Sequence, residues 1–410
     1  MLVLLLVLTL QVPTETIVGV QIHGNTVTSD DDMRRLAGIQ GGMPFEADTI
    51  AKVTERLRAA KRFESVQVLK RFASISDLSQ IMLVIIVDEG AVHIQMTGDP
   101  AHPTRVVRNK LPRVLVLPVL GAEDGYGPTY GVRLALPDPA GKRSRLAFPL
   151  TWGGVKRAAA EFEKSIENEP IDRLRAGASI SRITNPLFEK ADERERMWVR
   201  GEREAFGHAL RGGATAGWQH VSFGDLNDRF VQTDLDLVVD TRTDPALPRN
   251  AVFGRAAWEH LFFDDGRGIN RVDLDGRGYL GLFGQNVLAV RMQRRDADHP
   301  LPSYLQPLLG GITNLRGFRA GTAAGDTLVT GSLEVIVPLT PALSFGRLGV
   351  SGFTDAGTVY AKGERFADQH VKQGYGVGVW ITAAFFRFSV AAAHGVGSST
   401  RVHVGGDLTF

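Results

Sequence analysis

The chain closes on Arg401-Val-His-Val-Gly-Gly-Asp-Leu-Thr-Phe410. Val402, Val404, Gly406, Leu408 and Phe410 fall on one side of this stretch, and Arg401, His403, Asp407 and Thr409 on the other. A period of two marks a strand with one wet and one greasy face. In a soluble fold a partner layer must cover the greasy face; in a membrane strand lipid does so. The segment Asn270 to Leu280 repeats the pattern, with Arg271, Asp273, Asp275 and Arg277 opposed to Val272, Leu274, Gly276, Gly278 and Leu280. Those charges on one strand face require water or one another. From Gln232 to Asp240, Thr233, Leu235, Leu237 and Val239 oppose Gln232, Asp234, Asp236 and Asp240. A soluble β-sandwich alternates in the same way, so periodicity alone leaves both architectures open.

At 410 residues the chain has room for a small domain and a large one, or for two or three of ordinary size. The formal charge of +2 argues for neither nucleic acid nor an acidic partner. The absence of cysteine excludes disulfides, thiolate metal sites and a cysteine nucleophile. Many of the 46 glycines sit inside alternating segments, where bends in a barrel wall or close strand packing accommodate them. No stretch approaches the roughly 20 apolar residues of a membrane-spanning helix. Any integral membrane form must therefore be a closed barrel, the sheet that leaves no backbone group unsatisfied in lipid. Residues 1–15 begin Met1-Leu-Val-Leu-Leu-Leu-Val-Leu-Thr-Leu10, like the apolar core of a secretory signal without its basic leader.

Residues 16–90 read as a β-α-α-β-β unit. Ile17, Val18 and Val20 open a strand that Gly24-Asn25 ends. Ser29 stands as the cap of a helix whose first turn carries Asp30, Asp31 and Asp32. A second helix is expected over about Glu46 to Ala60, with Ile50, Val53 and Leu57 on one face. Strands follow near Ser65 to Phe72 and Gln80 to Asp88, and the continuous run Ile81 to Val87 predicts a strand covered on both faces. Residues 91–112, with Pro100, Pro103 and Pro112 among Arg105, Arg108 and Lys110, read as a solvated linker; contact with anionic head groups or lipopolysaccharide is the alternative. From 113 to 410 only strand-like segments appear. They are predicted to begin near Val114, Gly127, Arg143, Arg157, Arg173, Arg196, Gly212, Val231, Ala251, Ile269, Gln285, Thr327, Phe345, Lys372, Phe385 and Arg401. The stretch from about Arg295 to Asp326 is too long for a tight hairpin, and loops of that length are usually functional or disordered.

That loop holds Gly310-Gly-Ile-Thr-Asn-Leu-Arg-Gly-Phe-Arg319, followed by a strand with Ser332-Leu-Glu334 and then by Gly352-Phe-Thr-Asp-Ala-Gly-Thr-Val-Tyr360. With Leu333, Val335 and Val337 toward lipid, Glu334 faces the lumen; with Leu348 and Val350 toward lipid, Asp355 does too. An arginine folded into the lumen can bridge both carboxylates by charge-assisted bonds. In these motifs and their order the chain resembles the BamA/TamA superfamily of outer-membrane assembly and translocation proteins. The Leu-Arg-Gly-Phe core is similar to that family's Val-Arg-Gly-Phe signature in its sixth extracellular loop, with Leu315 in place of Val. The N-terminal unit resembles a POTRA (polypeptide-transport-associated) domain, including the Gly24-Asn25 turn and the Phe63-x-x-Val66 strand start.

The resemblance implies a mostly β protein: a 16-stranded transmembrane antiparallel β-barrel preceded by one βααββ POTRA domain, set in the bacterial outer membrane with that domain in the periplasm. It implies Arg316 as the loop's anchor on Glu334 and Asp355, with Gly317 and Phe318 shaping and packing the tip. It further implies client capture by strand addition at Val66 and Val68, and a weak seam and terminal signal marked by Val114, Leu408 and Phe410. The expected function is insertion or translocation of unfolded outer-membrane or secreted clients, among lipid, lipopolysaccharide and periplasmic accessory proteins. The alternatives are a dedicated two-partner-type secretion pore and a passive channel. A single POTRA domain departs from the several of assembly factors and the two of secretion translocators, as in a reduced or accessory member or a chain lacking upstream domains. No cofactor, metal, nucleic-acid partner or catalysis is expected. The ten histidines form no His-x-x-x-His pair, no Walker-type loop occurs, and Gly349-Val-Ser-Gly352 fails the spacing of a nucleophile elbow.

Overall fold

A computed structural model describes residues 15–25, 28–63, 65–89, 92–96, 104–108, 114–166, 170–206, 209–245, 247–340, 346–383 and 386–408. Most of the signal-like segment and Phe410 lie outside the described residues. The chain divides into two compact units between Glu89 and Gly90.

The first unit contains β1 (Thr16–His23), α1 (Asp30–Ala37), α2 (Thr49–Ala59), β2 (Ser65–Phe72) and β3 (Gln80–Asp88). Its sheet has the order β1-β3-β2, with β1 parallel and β2 antiparallel to the central β3. Helix α1 starts where its cap dictates: Ser29 Oγ accepts the Asp32 N–H at 3.2 Å, and three aspartates face the positive helix end. Helix α2 starts later than its apolar spacing predicts, because the Glu46 N–H donates to Thr49 Oγ1 at 2.8 Å in a turn that holds Glu46 outside the helix. Met33, Val53 and Leu57 pack with Leu83 and Ile85 of β3 in a closed core. Burying each such side chain contributes roughly 1.5–3 kcal/mol.

The expected linker is partly structured. β4 (Val92–Met96) and β5 (Thr104–Arg108) pair as an antiparallel hairpin. The β-forming residues on either side of the proline-bearing stretch are enough for a short ladder, and the prolines, which cannot donate to it, fall outside both strands.

The second unit is a closed antiparallel barrel. Its wall runs through β6 (Leu115–Glu123), β7 (Gly127–Pro137), β8 (Ser144–Gly153), β9 (Val155–Ser165), β10 (Arg173–Thr184), β11 (Ala191–Ala205), β12 (Leu210–Phe223), β13 (Leu226–Asp240), β14 (Ala251–Phe263), β15 (Gly268–Gly281) and β16 (Val287–Ala297). After the long loop, which carries the two-residue strands β17 (Leu308–Leu309) and β18 (Ala323–Ala324), it continues through β19 (Thr327–Pro338), β20 (Arg347–Tyr360), β21 (Lys372–Ala383), β22 (Phe386–Gly395) and β23 (Thr400–Leu408). Sixteen strands form the wall, the number the alternation predicts. β11 and β13 begin before their predicted starts because Asp192, Glu193 and Arg194, and Asn227, Asp228 and Arg229, extend the strands through runs of polar and charged residues where the alternation in sequence is lost.

The outward face is apolar: Ile180, Met197, Leu235, Met292, Val377 and Val402 are all at least half exposed. At roughly 25 cal/mol per Å² of apolar surface, such a face is stable in lipid and costly in water, which removes the sandwich alternative. The charges of the alternating segments turn inward and pair both along a strand and across strands. Asp275 accepts from Arg277 at 2.6 Å and from Arg291 at 2.9 Å, Arg271 meets Glu259 at 3.0 Å, and Arg200 reaches Asp236 and Glu202.

Candidate functional site

The long loop between β16 and β19 folds into the barrel instead of standing away from it. Its first part joins an apolar cap: Leu301, Tyr304 and Leu305 pack with Phe223, Phe230, Leu261, Phe263 and Ile269 from the ends of four strands. Tyr304 donates its phenol to Asp228 Oδ2 at 2.7 Å; burial, reinforced by that carboxylate, pushes the phenol's pKa up and keeps it a neutral donor. Asp326 closes the loop's base, accepting the N–H of Leu301 at 2.7 Å and of Lys362 at 2.8 Å.

Within this frame the tip is self-bonded. The Gly310 N–H donates to Asn314 Oδ1, Asn314 Nδ2 donates to the Leu308 carbonyl, and the Gly311 N–H donates to the Phe318 carbonyl, each at 2.9 Å. This compact turn presents Arg316 to the wall. The guanidinium forks onto Asp355, Nε to Oδ2 at 2.7 Å and Nη2 to Oδ1 at 2.8 Å, while Nη1 donates to Glu334 Oε2 at 2.9 Å. Arg316's backbone N–H adds a third bond to Asp355 at 2.9 Å. Strand register explains the convergence: Ser332 stands opposite Asp355 and Glu334 opposite Phe353 on the neighbouring strands β19 and β20. Ser332 Oγ donates to Asp355 Oδ1 at 2.7 Å, and the guanidinium lies 3.3 Å above the centre of the Phe353 ring. Asp355 is only 2% exposed, so its charge depends on these partners.

Gly317 and Phe318 are placed by the same contacts. Gly317 has φ +94°, and a Cβ there would lie 2.6 Å from the Gly395 nitrogen. The strands beneath are correspondingly bare: a Cβ on Gly374 would meet the Arg316 carbonyl oxygen, and one on Gly395 the Phe318 ring. Phe318 packs with Leu309, Leu315 and Leu328. The five latch residues expected from sequence therefore come together. Sequence reading passed over Ser332, Phe353, Asp124 and His403. His403 was visible as a polar-face residue on the last strand, but nothing in its local sequence points to its partners.

The other expected residues lie elsewhere. Val66 and Val68 are on β2, the open edge of the first unit's sheet; the flank of β1 is engaged by residues 42–45, through bonds such as Ile17 N–H to the Met43 carbonyl at 2.8 Å. Val68 is buried in the core and Val66 packs against it, because alternation turns both toward the helices. Strand addition at this edge would use the β2 backbone, flanked by exposed side chains such as Gln67, while the side chains of the two valines stay with the core. Val114 is exposed and directly precedes β6, and Leu408 ends β23. Neither takes part in the seam ladder: among the described residues its register pairs are Gly406 with Ala122 and Asp407 with Gly121. The stagger of β23 against β6 sets these positions. The fifteen other seams of the wall have between six and fourteen pairs.

A second inward element lies at the barrel end where β6 begins. The turn after β13 does not project outward: Asp244 pairs with Arg347 at 3.3 Å with both side chains buried, Leu247 packs with Val287 and Trp380, and Arg249 donates to the carbonyls of Leu282 and Asn286. Between this turn and the latch lies a cavity of about 350 Å³, lined among others by Arg242, Arg277, Arg291, Arg316 and Asp355.

Comparison with known proteins agrees with this geometry. The Omp85 superfamily domain matches residues 128–403, and the POTRA repeat described as "Surface antigen variable number repeat" matches residues 15–90. No curated protein matches the chain in sequence. Among solved structures, BamA from Haemophilus ducreyi lacking POTRA domains 1–3 is similar at a TM-score of 0.62 and 14% identity, over 96% of this chain and 84% of that one. CdiB from Escherichia coli is similar at 0.51 and 13%, over 98% and 92%, and CdiB from Acinetobacter baumannii at 0.51 and 12%, over 96% and 73%. At these identities the likeness is one of fold. The profile match spans more than half of the chain and the latch lies within it, so the chain belongs to the Omp85 superfamily of outer-membrane β-barrel proteins, with one POTRA domain before its barrel.

Proposed function

We propose that this protein inserts client polypeptides into the outer membrane, or passes them across it, at the seam between β6 and β23. The observation that carries the reading is that, among the described residues, the ladder at that seam has two pairs in a wall otherwise joined by long ones. In lipid an unsatisfied backbone group costs several kcal/mol, so strand edges left without ladder partners will accept another strand. The proposal puts the POTRA domain in the periplasm, where the β2 edge takes an extended client segment by backbone hydrogen bonding before the barrel receives it. Lipid and lipopolysaccharide meet the apolar outer wall, and periplasmic accessory proteins share the POTRA surface. The protein has no covalent chemistry in this account.

Purified protein in liposomes, mixed with an unfolded small barrel client, tests it by the protease-resistant client fraction over time. Accelerated folding that Arg316→Ala loses supports the proposal. No acceleration by a correctly folded barrel would contradict insertion and point to a dedicated secretion pore.

A further inference from the structure

His403 lies on β23 three residues before the first ladder pair and is 1% exposed. Strand β6 ends at Glu123, so His403 stands level with the turn after it, where no strand remains for β23 to pair with. Side chains take over there. Nδ1 of His403 lies 2.6 Å from Asp124 Oδ2 in the β6–β7 turn, and Nε2 lies 2.8 Å from the backbone nitrogen of Gly317. An amide N–H can only donate, so Nε2 is the acceptor. The ring proton is then on Nδ1, where it is given to the carboxylate. One imidazole thus joins the first hairpin, the last strand and the latch loop. The loop also packs directly against both sides of the seam: Ile312 covers Gly405, and Ala320 lies against Gly125.

We infer that His403 is a positioning residue that holds the seam closed and makes its closure depend on the latch. Gly317 follows Arg316, whose guanidinium is fixed on Asp355 and Glu334. Release of that arginine withdraws the Gly317 N–H from His403, leaving a buried ring nitrogen without its donor and Asp124 with a loosened partner. With two ladder pairs at the seam among the described residues, loss of this clasp shifts the balance between closed and open. The inference rests on the proposed role of the seam, but its test requires no client, so failure of one is distinguishable from failure of the other.

The chain lacks cysteine, so Ala122→Cys with Gly406→Cys places a single thiol pair at opposed register positions. Full-length protein in membranes is oxidised gently, and disulfide formation is followed in the folded fraction, identified by its heat-modifiable migration. His403→Ala and Asp124→Ala are each expected to slow bond formation about tenfold, as loss of one or two hydrogen bonds does. Because both act on one clasp, the double variant is expected to be no slower than either single one. His403→Gln should restore the rate, since its amide oxygen can accept from Gly317 while its nitrogen donates to Asp124. Where alanine prevents folding, Asp124→Asn, which still accepts from Nδ1 without the charge, should give an intermediate rate. Unchanged rates in the Asp124 and His403 variants, or a glutamine variant as slow as alanine, would overturn the inference.

Discussion

Truncating Arg316 to alanine would leave Asp355 buried beside Glu334 with only Ser332 and a backbone N–H to stabilise its charge. Breaking a buried pair by removing one partner costs about 3–5 kcal/mol, so Arg316→Ala should markedly lower the urea midpoint of the folded barrel. Arg316→Lys should recover only part of the loss, because an ammonium cannot fork onto Asp355 while reaching Glu334. Gly317→Ala should resemble Arg316→Ala although it removes no charge, since its Cβ collides with strand backbone; a midpoint equal to wild type would show that the loop tip is loose. At this scale the carboxylates were legible because strand parity fixes which face a side chain takes. Phe353 and Ser332 follow from cross-strand register, which a single strand's sequence does not reveal. His403 and Asp124 are 279 positions apart and meet only because the barrel closes.

On β2 the exposed side chains flank an open backbone edge while the valines face the core. A photo-crosslinking residue at Gln67 should therefore capture an unfolded client, and the same residue at Arg35 on exposed α1 should not. Equal capture at both positions would count against strand addition. The wall strands could be read from sequence because lipid on one side and charge on the other enforce a strict period of two. Reading failed where that constraint lapses, in the charged ends of β11 and β13 and in the β4–β5 hairpin; the register of the seam is set by stagger between strands from opposite ends of the chain, which no local pattern carries.

As a whole, the barrel is obstructed from both ends, by the latch loop and by the described residues of the turn between β13 and β14, Asp244, Leu247 and Arg249 among them. Replacing that turn with a two-residue Asn-Gly hairpin should raise single-channel conductance in planar bilayers while the barrel stays folded. Unchanged conductance would mean that the loop alone seals the lumen. Under the proposed function, a lumen obstructed in this way leaves the wall as the route for a client strand, with the β6–β23 ladder, two pairs long among the described residues, as its weak place. The most direct measurement is client folding in proteoliposomes carrying the Ala122→Cys, Gly406→Cys protein, compared oxidised and reduced. The account predicts acceleration only when the seam is reduced, regained on adding reductant to the locked sample; equal acceleration with the seam locked would contradict it.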